Sequence, residues 1–238
     1  MEESNREGEA LTVQLRQALE LLEERQGEKV REGSPEPVDV LILTLLSQNT
    51  NDALRDRAFT QLRRRFPRWS DVLTAPTAKI EETIRIAGLS RQKAARMKEI
   101  LGWIQAEFGE ISLKPLENLE TDAALELLRS RKGVGIKTAA VVMMIAWGRD
   151  LCPVDTHVHR ISRRLGWVPQ TASAEKTFEL LKPHVPAGKG YSLHMNLLQF
   201  GRTICLARKP LCGGCFLYDL CIWEGKFEIR ARMGKLFG

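Results

Sequence analysis

Arg131-Lys132-Gly133-Val134-Gly135-Ile136-Lys137-Thr138-Ala139, followed after an apolar helical run by Val154-Asp155-Thr156-His157, is the stretch that decides the fold. Its two glycines stand two apart between helix-like segments. Glycine reaches positive φ and lets another backbone come close. A Gly-x-Gly turn ahead of a helix aims several N–H groups outward, which makes an anion site. Lys137 comes two residues past Gly135, where the first helical turn disfavours a cation. A lysine placed there either swings into solvent or has work that needs a lowered pKa. Asp155 follows at the start of the next helix-like segment.

Outward from this stretch the periodicity is helical throughout. Leu11, Leu15, Leu19 and Leu22 give one helix after a polar, frayed start over residues 1–9, and 23–37 is a charged connecting loop with Pro35 and Pro37. Val38–Leu46 is apolar nearly all round and reads as a core helix, because no second strand-like run exists to pair with it. It ends in Ser47-Gln48-Asn49-Thr50-Asn51-Asp52, a polar amide cluster that suits a cap for the next helix. Further helices are expected over 54–66, 77–87, 90–108, 121–130, 137–147, 155–166, 173–184 and 191–207. Gly88 is a natural cap for the second of these, and Leu89 then supplies the apolar contact that accompanies it. Arg63-Arg64-Arg65 reads as a solvated face or a phosphate contact.

The 238 residues suffice for one or two domains with a core, and a net charge of +6 with a pI near 9.2 favours a polyanionic partner. No apolar run approaches the ~18 residues that a membrane span needs. Met1-Glu2-Glu3-Ser4-Asn5-Arg6-Glu7 lacks the basic start and apolar core of a secretion signal. The expectation is an intracellular, cytoplasmic protein, where structural disulfides are rare. Cys205, Cys212, Cys215 and Cys221 nonetheless cluster with the spacing C-x6-C-x2-C-x5-C. Thiols this close in such a compartment mean metal, either tetrahedral zinc or an iron–sulfur cluster. Cys152 stands apart and reads as a buried apolar filler.

The hairpin with Lys137, the Val-Asp-Thr-His segment and the cysteine spacing together resemble the helix-hairpin-helix DNA glycosylases, specifically the endonuclease III family, over residues 38–225. The resemblance implies an all-α protein of two helical domains. A six-helix barrel-type domain carrying the hairpin would span 30–149. A discontinuous iron–sulfur cluster domain would comprise 1–29 and 150–238, with the active site in the cleft between the two. It implies that Lys137 is the nucleophile and Asp155 the acid, and that Gly133 and Gly135 bind DNA. Gln48 or Asn49 would fill the hole left by an extruded nucleotide, and Leu89 would be the wedge in the duplex. Cys205, Cys212, Cys215 and Cys221 would hold a 4Fe–4S cluster, with zinc the alternative that composition leaves open. Arg202, Arg208 and Lys209 in the cysteine loop would face phosphate. The implied partner is double-stranded DNA containing damaged bases or abasic sites, met by a monomer.

The chemistry follows from these residue types. An enzyme acting on a base within a duplex must extrude the nucleotide, at a cost of a few kcal/mol. A water nucleophile at C1′ gives base removal alone. A neutral amine forms a Schiff base with the sugar and opens the way to β-elimination and strand cleavage. Lys137 therefore predicts a base-excision glycosylase that is also an abasic-site lyase, and the resemblance implies that its substrates are oxidised pyrimidines. Two other readings stand beside it: a monofunctional or mismatch-specific glycosylase of the same fold, and a non-catalytic iron–sulfur DNA-binding or redox-sensing protein. One departure from the family pattern is the pair Arg131-Lys132, which replaces an apolar residue and a proline. Losing the proline should loosen the entry to the hairpin, and the two cations should steepen the salt dependence of DNA binding.

Overall fold

The computed structural model describes residues 2–234, with side chains over 8–230. Among the described residues there is no strand. The helices are α1 Glu2–Gln26, α2 Pro37–Ser47, α3 Asp52–Arg65, α4 Trp69–Thr74, α5 Thr77–Thr83, α6 Ser90–Phe108, α7 Thr121–Arg129, α8 Ile136–Trp147, α9 Thr156–Arg164, α10 Ala174–Leu181, α11 Gly190–Thr203 and α12 Gly225–Gly234. They fall into two compact units. One is Gly33–Trp147, and the other combines the segment up to Glu32 with the segment from Gly148 onward.

The Gly33–Trp147 unit is built on α2 and α8, which pack on each other more extensively than any other pair of helices. Both are apolar on nearly every side, and the reason is burial on every side. Val38, Leu41, Ile42, Leu45 and Leu46 of α2 are sealed from solvent, as are Ala139, Ala140, Val142, Met143 and Met144 of α8. α3, α6 and α7 cover this pair.

Local differences from the sequence reading have physical causes. α1 begins at Glu2, not near Leu11. The helix expected over 77–87 is broken into α5 and a 3-10 turn at Arg85–Ala87. α4 is too short for its period to show in sequence. Its buried Trp69 anchors it, donating from Nε1 to Asp39 Oδ1 at 2.8 Å. Two members of the Arg63–Arg65 run have partners within the chain, although Arg65 stays exposed. Arg63 lies 4.5 Å over the Trp69 ring, and Arg65 Nη1 pairs with Glu82 at 2.9 Å.

In the other unit α11 is central, packed against α1 and α9. Gly201 of α11 sits so near His157 that a Cβ would meet that residue's Cβ at 2.7 Å and its Nδ1 at 2.8 Å. Glycine is what permits α9 and α11 to cross this closely. All four histidines have partners within the chain. His157 Nδ1 meets Arg160, His159 meets the Ala172 carbonyl, His184 meets Thr12, and the buried His194 meets the Pro153 carbonyl. The basic C-terminal extension forms α12, and residues 235–238 lie outside the described residues.

Candidate functional site

The hairpin lies between α7 and α8. Val134 is its buried anchor, and its N–H closes the turn on the Arg131 carbonyl at 3.0 Å. Gly133 has φ +90, and the Arg96 side chain lies where its Cβ would be, at 2.5–2.6 Å. Gly135 is different. It is exposed, and nothing lies within 4 Å of where its Cβ would point. Packing within the chain does not demand a glycine there, whereas close approach by an outside group would. The first intrahelical donor is Ala139 N–H, to the Gly135 carbonyl at 3.0 Å. The amides before it are the unmatched donors that every helix start presents. Lys137 is exposed on this first turn, while Thr138, Ala139 and Ala140 behind it are buried. Arg131 lies 5.1 Å over the Trp103 ring and donates to Ser130 Oγ, and Lys132 is exposed.

Gln48, Asn49 and Leu89 are all exposed, Leu89 to 48%. Among the described residues, the non-glycine positions with positive φ are Asn49 (φ 54) and Leu89 (φ 49). Gln48 has an ordinary extended backbone, φ −61 and ψ 122. For leucine the left-handed region costs about 1–2 kcal/mol, whereas asparagine visits it more readily, and such strain concentrates at functional positions. Asn51 takes the capping role read for this cluster, its Oδ1 accepting from Leu54 N–H at 2.9 Å. The geometry thus separates Asn51, which caps, from Asn49, which is exposed and has positive φ. Behind these loops Lys93 is buried, its Nζ donating to the carbonyls of Leu46 and Ala87.

Asp155 lies in the other unit, half-buried, and is the N-cap of α9. One oxygen does all the capping: Oδ1 accepts from His157 N–H at 2.9 Å and Val158 N–H at 2.8 Å. Cys152 nearby is fully buried. Burial, and next the Asp155 carboxylate, push its thiol far above the usual range, which keeps it protonated and inert.

Cys205, Cys212, Cys215 and Cys221 line one cavity, together with Arg164 and Lys226. Among the described residues no three His, Cys, Asp or Glu are gathered to hold a single metal ion. The four thiols border this cavity together. The donor set, all sulfur, also fits iron–sulfur ligation. Burial raises the thiols of Cys212 and Cys221 and pushes Cys215 up to about 11. Iron therefore displaces protons as it binds.

The loop around these cysteines is tied down by cations that spacing alone did not reveal. Arg160 donates to the Cys205 carbonyl at 2.7 and 3.0 Å and to the Gly201 carbonyl at 2.9 Å. Arg164 Nη1 reaches Cys205 Sγ at 3.2 Å and the Leu206 carbonyl at 2.9 Å, while its own carbonyl accepts from Ile222 and Trp223 N–H. Lys226, also buried, donates to the carbonyls of Tyr218 and Cys221. Arg208 and Lys209 are exposed, as is Arg202.

Comparison with known proteins places these features. The HhH-GPD superfamily of base excision DNA repair proteins matches residues 42–187, and the iron–sulfur binding domain of endonuclease III matches residues 205–221. The chain is 36% identical to endonuclease III of Thermotoga maritima, over 83% of this chain and 89% of that protein. It is 39% identical to a putative DNA glycosylase of Arabidopsis thaliana over 80% of this chain, which spans 62% of that longer protein. A trapped covalent endonuclease III–DNA intermediate superposes with a TM-score of 0.76 at 30% identity, covering 92% of this chain and 99% of that one. The cysteine loop is accordingly an iron–sulfur centre. The chain belongs to the helix-hairpin-helix superfamily of base excision DNA repair proteins and, within it, to the endonuclease III family of DNA glycosylases.

Proposed function

We propose that this protein, acting as a monomer, removes oxidised or ring-saturated pyrimidines from duplex DNA and cleaves the strand at the resulting abasic site through a Schiff base on Lys137. The observation that carries this reading is the position of Lys137. It is an exposed amine on the first turn of the helix that follows the hairpin, beside amides suited to a phosphate. In the proposed reaction the neutral amine attacks C1′ and the base departs with the electrons of the glycosidic bond, taking up a proton. The sugar ring opens to an iminium joined to Lys137 Nζ. Loss of a C2′ proton then breaks the C3′–O bond, and water releases the enzyme. Asp155 Oδ2, which the cap leaves out, is assigned to take the proton from the amine and to steady positive charge on the sugar. Gly133 and Gly135 are assigned to phosphate, Asn49 to the space of the extruded nucleotide and Leu89 to the duplex as a wedge. Gln48, with its unstrained backbone, is the weaker candidate for that space.

The iron–sulfur cluster supplies a rigid centre for its loop and no step in this reaction. Arg208 and Lys209 on that loop are assigned to the DNA backbone. The test is borohydride reduction with DNA carrying an abasic site. A covalent adduct is expected from the wild type and none from Lys137→Met, with the fold unchanged because the side chain is exposed. Tight DNA binding by the wild type with no adduct would instead favour a monofunctional or non-catalytic protein.

A further inference from the structure

Lys93 is a buried cation whose partners are two main-chain carbonyls rather than a carboxylate. It is 3% exposed, and its Nζ donates to Leu46 O and to Ala87 O, each at 2.8 Å. Burial lowers its pKa from the ordinary lysine value. A lysine placed this way costs desolvation that an apolar side chain of the same length would not.

The two carbonyls belong to the ends of different elements. Carbonyls in the last turn of a helix lack intrahelical partners. At the end of α2, Leu45 O accepts from Gln48 N–H, Thr44 O from Ser47 Oγ and Ser47 O from Thr50 N–H. In the 3-10 turn, Arg85 O accepts from Gly88 N–H. Leu46 O and Ala87 O are taken by Lys93. Asn49 comes three residues past Leu46 and Leu89 two past Ala87, and these are the positive-φ residues of the two loops. The backbone N–H of Lys93 also donates to Leu89 O, at 3.0 Å. One residue on the first turn of α6 thus grips both loops from behind.

We propose that Lys93 is a positioning residue whose ammonium, bonded to the carbonyls of Leu46 and Ala87, fixes the loops of Asn49 and Leu89 against each other so that both enter the duplex as one preformed unit. This rests on the assignment of Asn49 and Leu89 to the duplex made above. Strained conformations persist only where the surroundings over-determine them, and Lys93 is the residue common to both. Loops ordered before binding spare the complex the entropy of ordering them afterwards.

The test compares wild type, Lys93→Met, Leu89→Ala and the double variant. Each is titrated with an undamaged duplex and with one carrying a tetrahydrofuran abasic analogue opposite 2-aminopurine. Lys93→Met should lower affinity for the abasic-analogue duplex on the order of tenfold and reduce the 2-aminopurine signal. Affinity for undamaged duplex, set by phosphate contacts, should hold. Because Lys93 acts through Leu89, its effect should shrink in the Leu89→Ala background. Equal losses on both duplexes, or a full loss added on top of Leu89→Ala, would overturn the proposal. Should Lys93→Met fail to fold, backbone order parameters of the free wild type decide instead. Values near 0.85 at residues 48, 49, 88 and 89 support it, and values below about 0.6 overturn it. A wild type with no preference for the abasic-analogue duplex would sink the functional reading itself, and this proposal with it.

Discussion

At the scale of single residues, Asp155 shows how one carboxylate serves structure and chemistry with different oxygens. Oδ1 is committed to two amides of α9, so the cap depends on an oxygen at that position and not on charge. Asparagine supplies that oxygen, while alanine does not. Asp155→Asn is therefore expected to stay within about 0.5 kcal/mol of wild type in urea unfolding, and Asp155→Ala to lose about 1 kcal/mol. Both should lower single-turnover cleavage by on the order of a hundredfold, since neither keeps a carboxylate to accept a proton. Equal stability of the two variants would remove the cap from the account. Wild-type cleavage by Asp155→Asn would remove the acid. The places of Lys137 on a first helical turn and of Asp155 at a helix start were legible in the sequence, because each sits within a short run whose meaning is local. Lys93 was not legible as a tie. Its acceptors lie 47 and 6 residues away, and no local pattern announces such a pairing.

At the scale of the element, the hairpin lacks the proline usual ahead of its first glycine and is steadied by side chains instead. Arg131 stacks on Trp103 of α6, and Arg96 lies against Gly133. This narrows the expectation that both Arg131 and Lys132 steepen salt dependence. Arg131 is occupied by the ring and by Ser130 Oγ, whereas Lys132 is exposed. Lys132→Ala should reduce the slope of log affinity against log salt by about 0.9. Arg131→Ala should change the slope less but cost the hairpin about 0.5–1 kcal/mol of cation–π contact. Fluorescence titrations across a salt series measure the first, and thermal unfolding measures the second. The sequence showed that a hairpin stood here and that its entry was unusual. It did not show which arginine would repair that entry, because Trp103 and Arg96 are brought in by the packing of α6.

At the scale of the whole molecule, helix number and order were largely readable, since most helices carry an apolar face of regular period. The exceptions are α4, held by one tryptophan, and the break after α5, where a 3-10 turn sets up Leu89. The iron–sulfur loop was readable as a ligand set but not as a structure, because its supports, Arg160 and Arg164, lie on α9 more than forty residues earlier. Cys215→Ser should lose the visible absorption of the cluster, bind almost no iron and unfold at lower temperature, because binding the metal is part of folding. Full iron content with unchanged unfolding would show that this thiol is not a ligand. α9 itself joins two of these features. It runs only nine residues, roughly 13 Å, from the Asp155 cap to Arg164, where both ends of the iron loop are knotted. A disturbance at the metal is thus delivered by a stiff rod to the carboxylate at its far end. Protein stripped of its iron is therefore expected to cleave abasic-site DNA more slowly in single turnover than the loaded form.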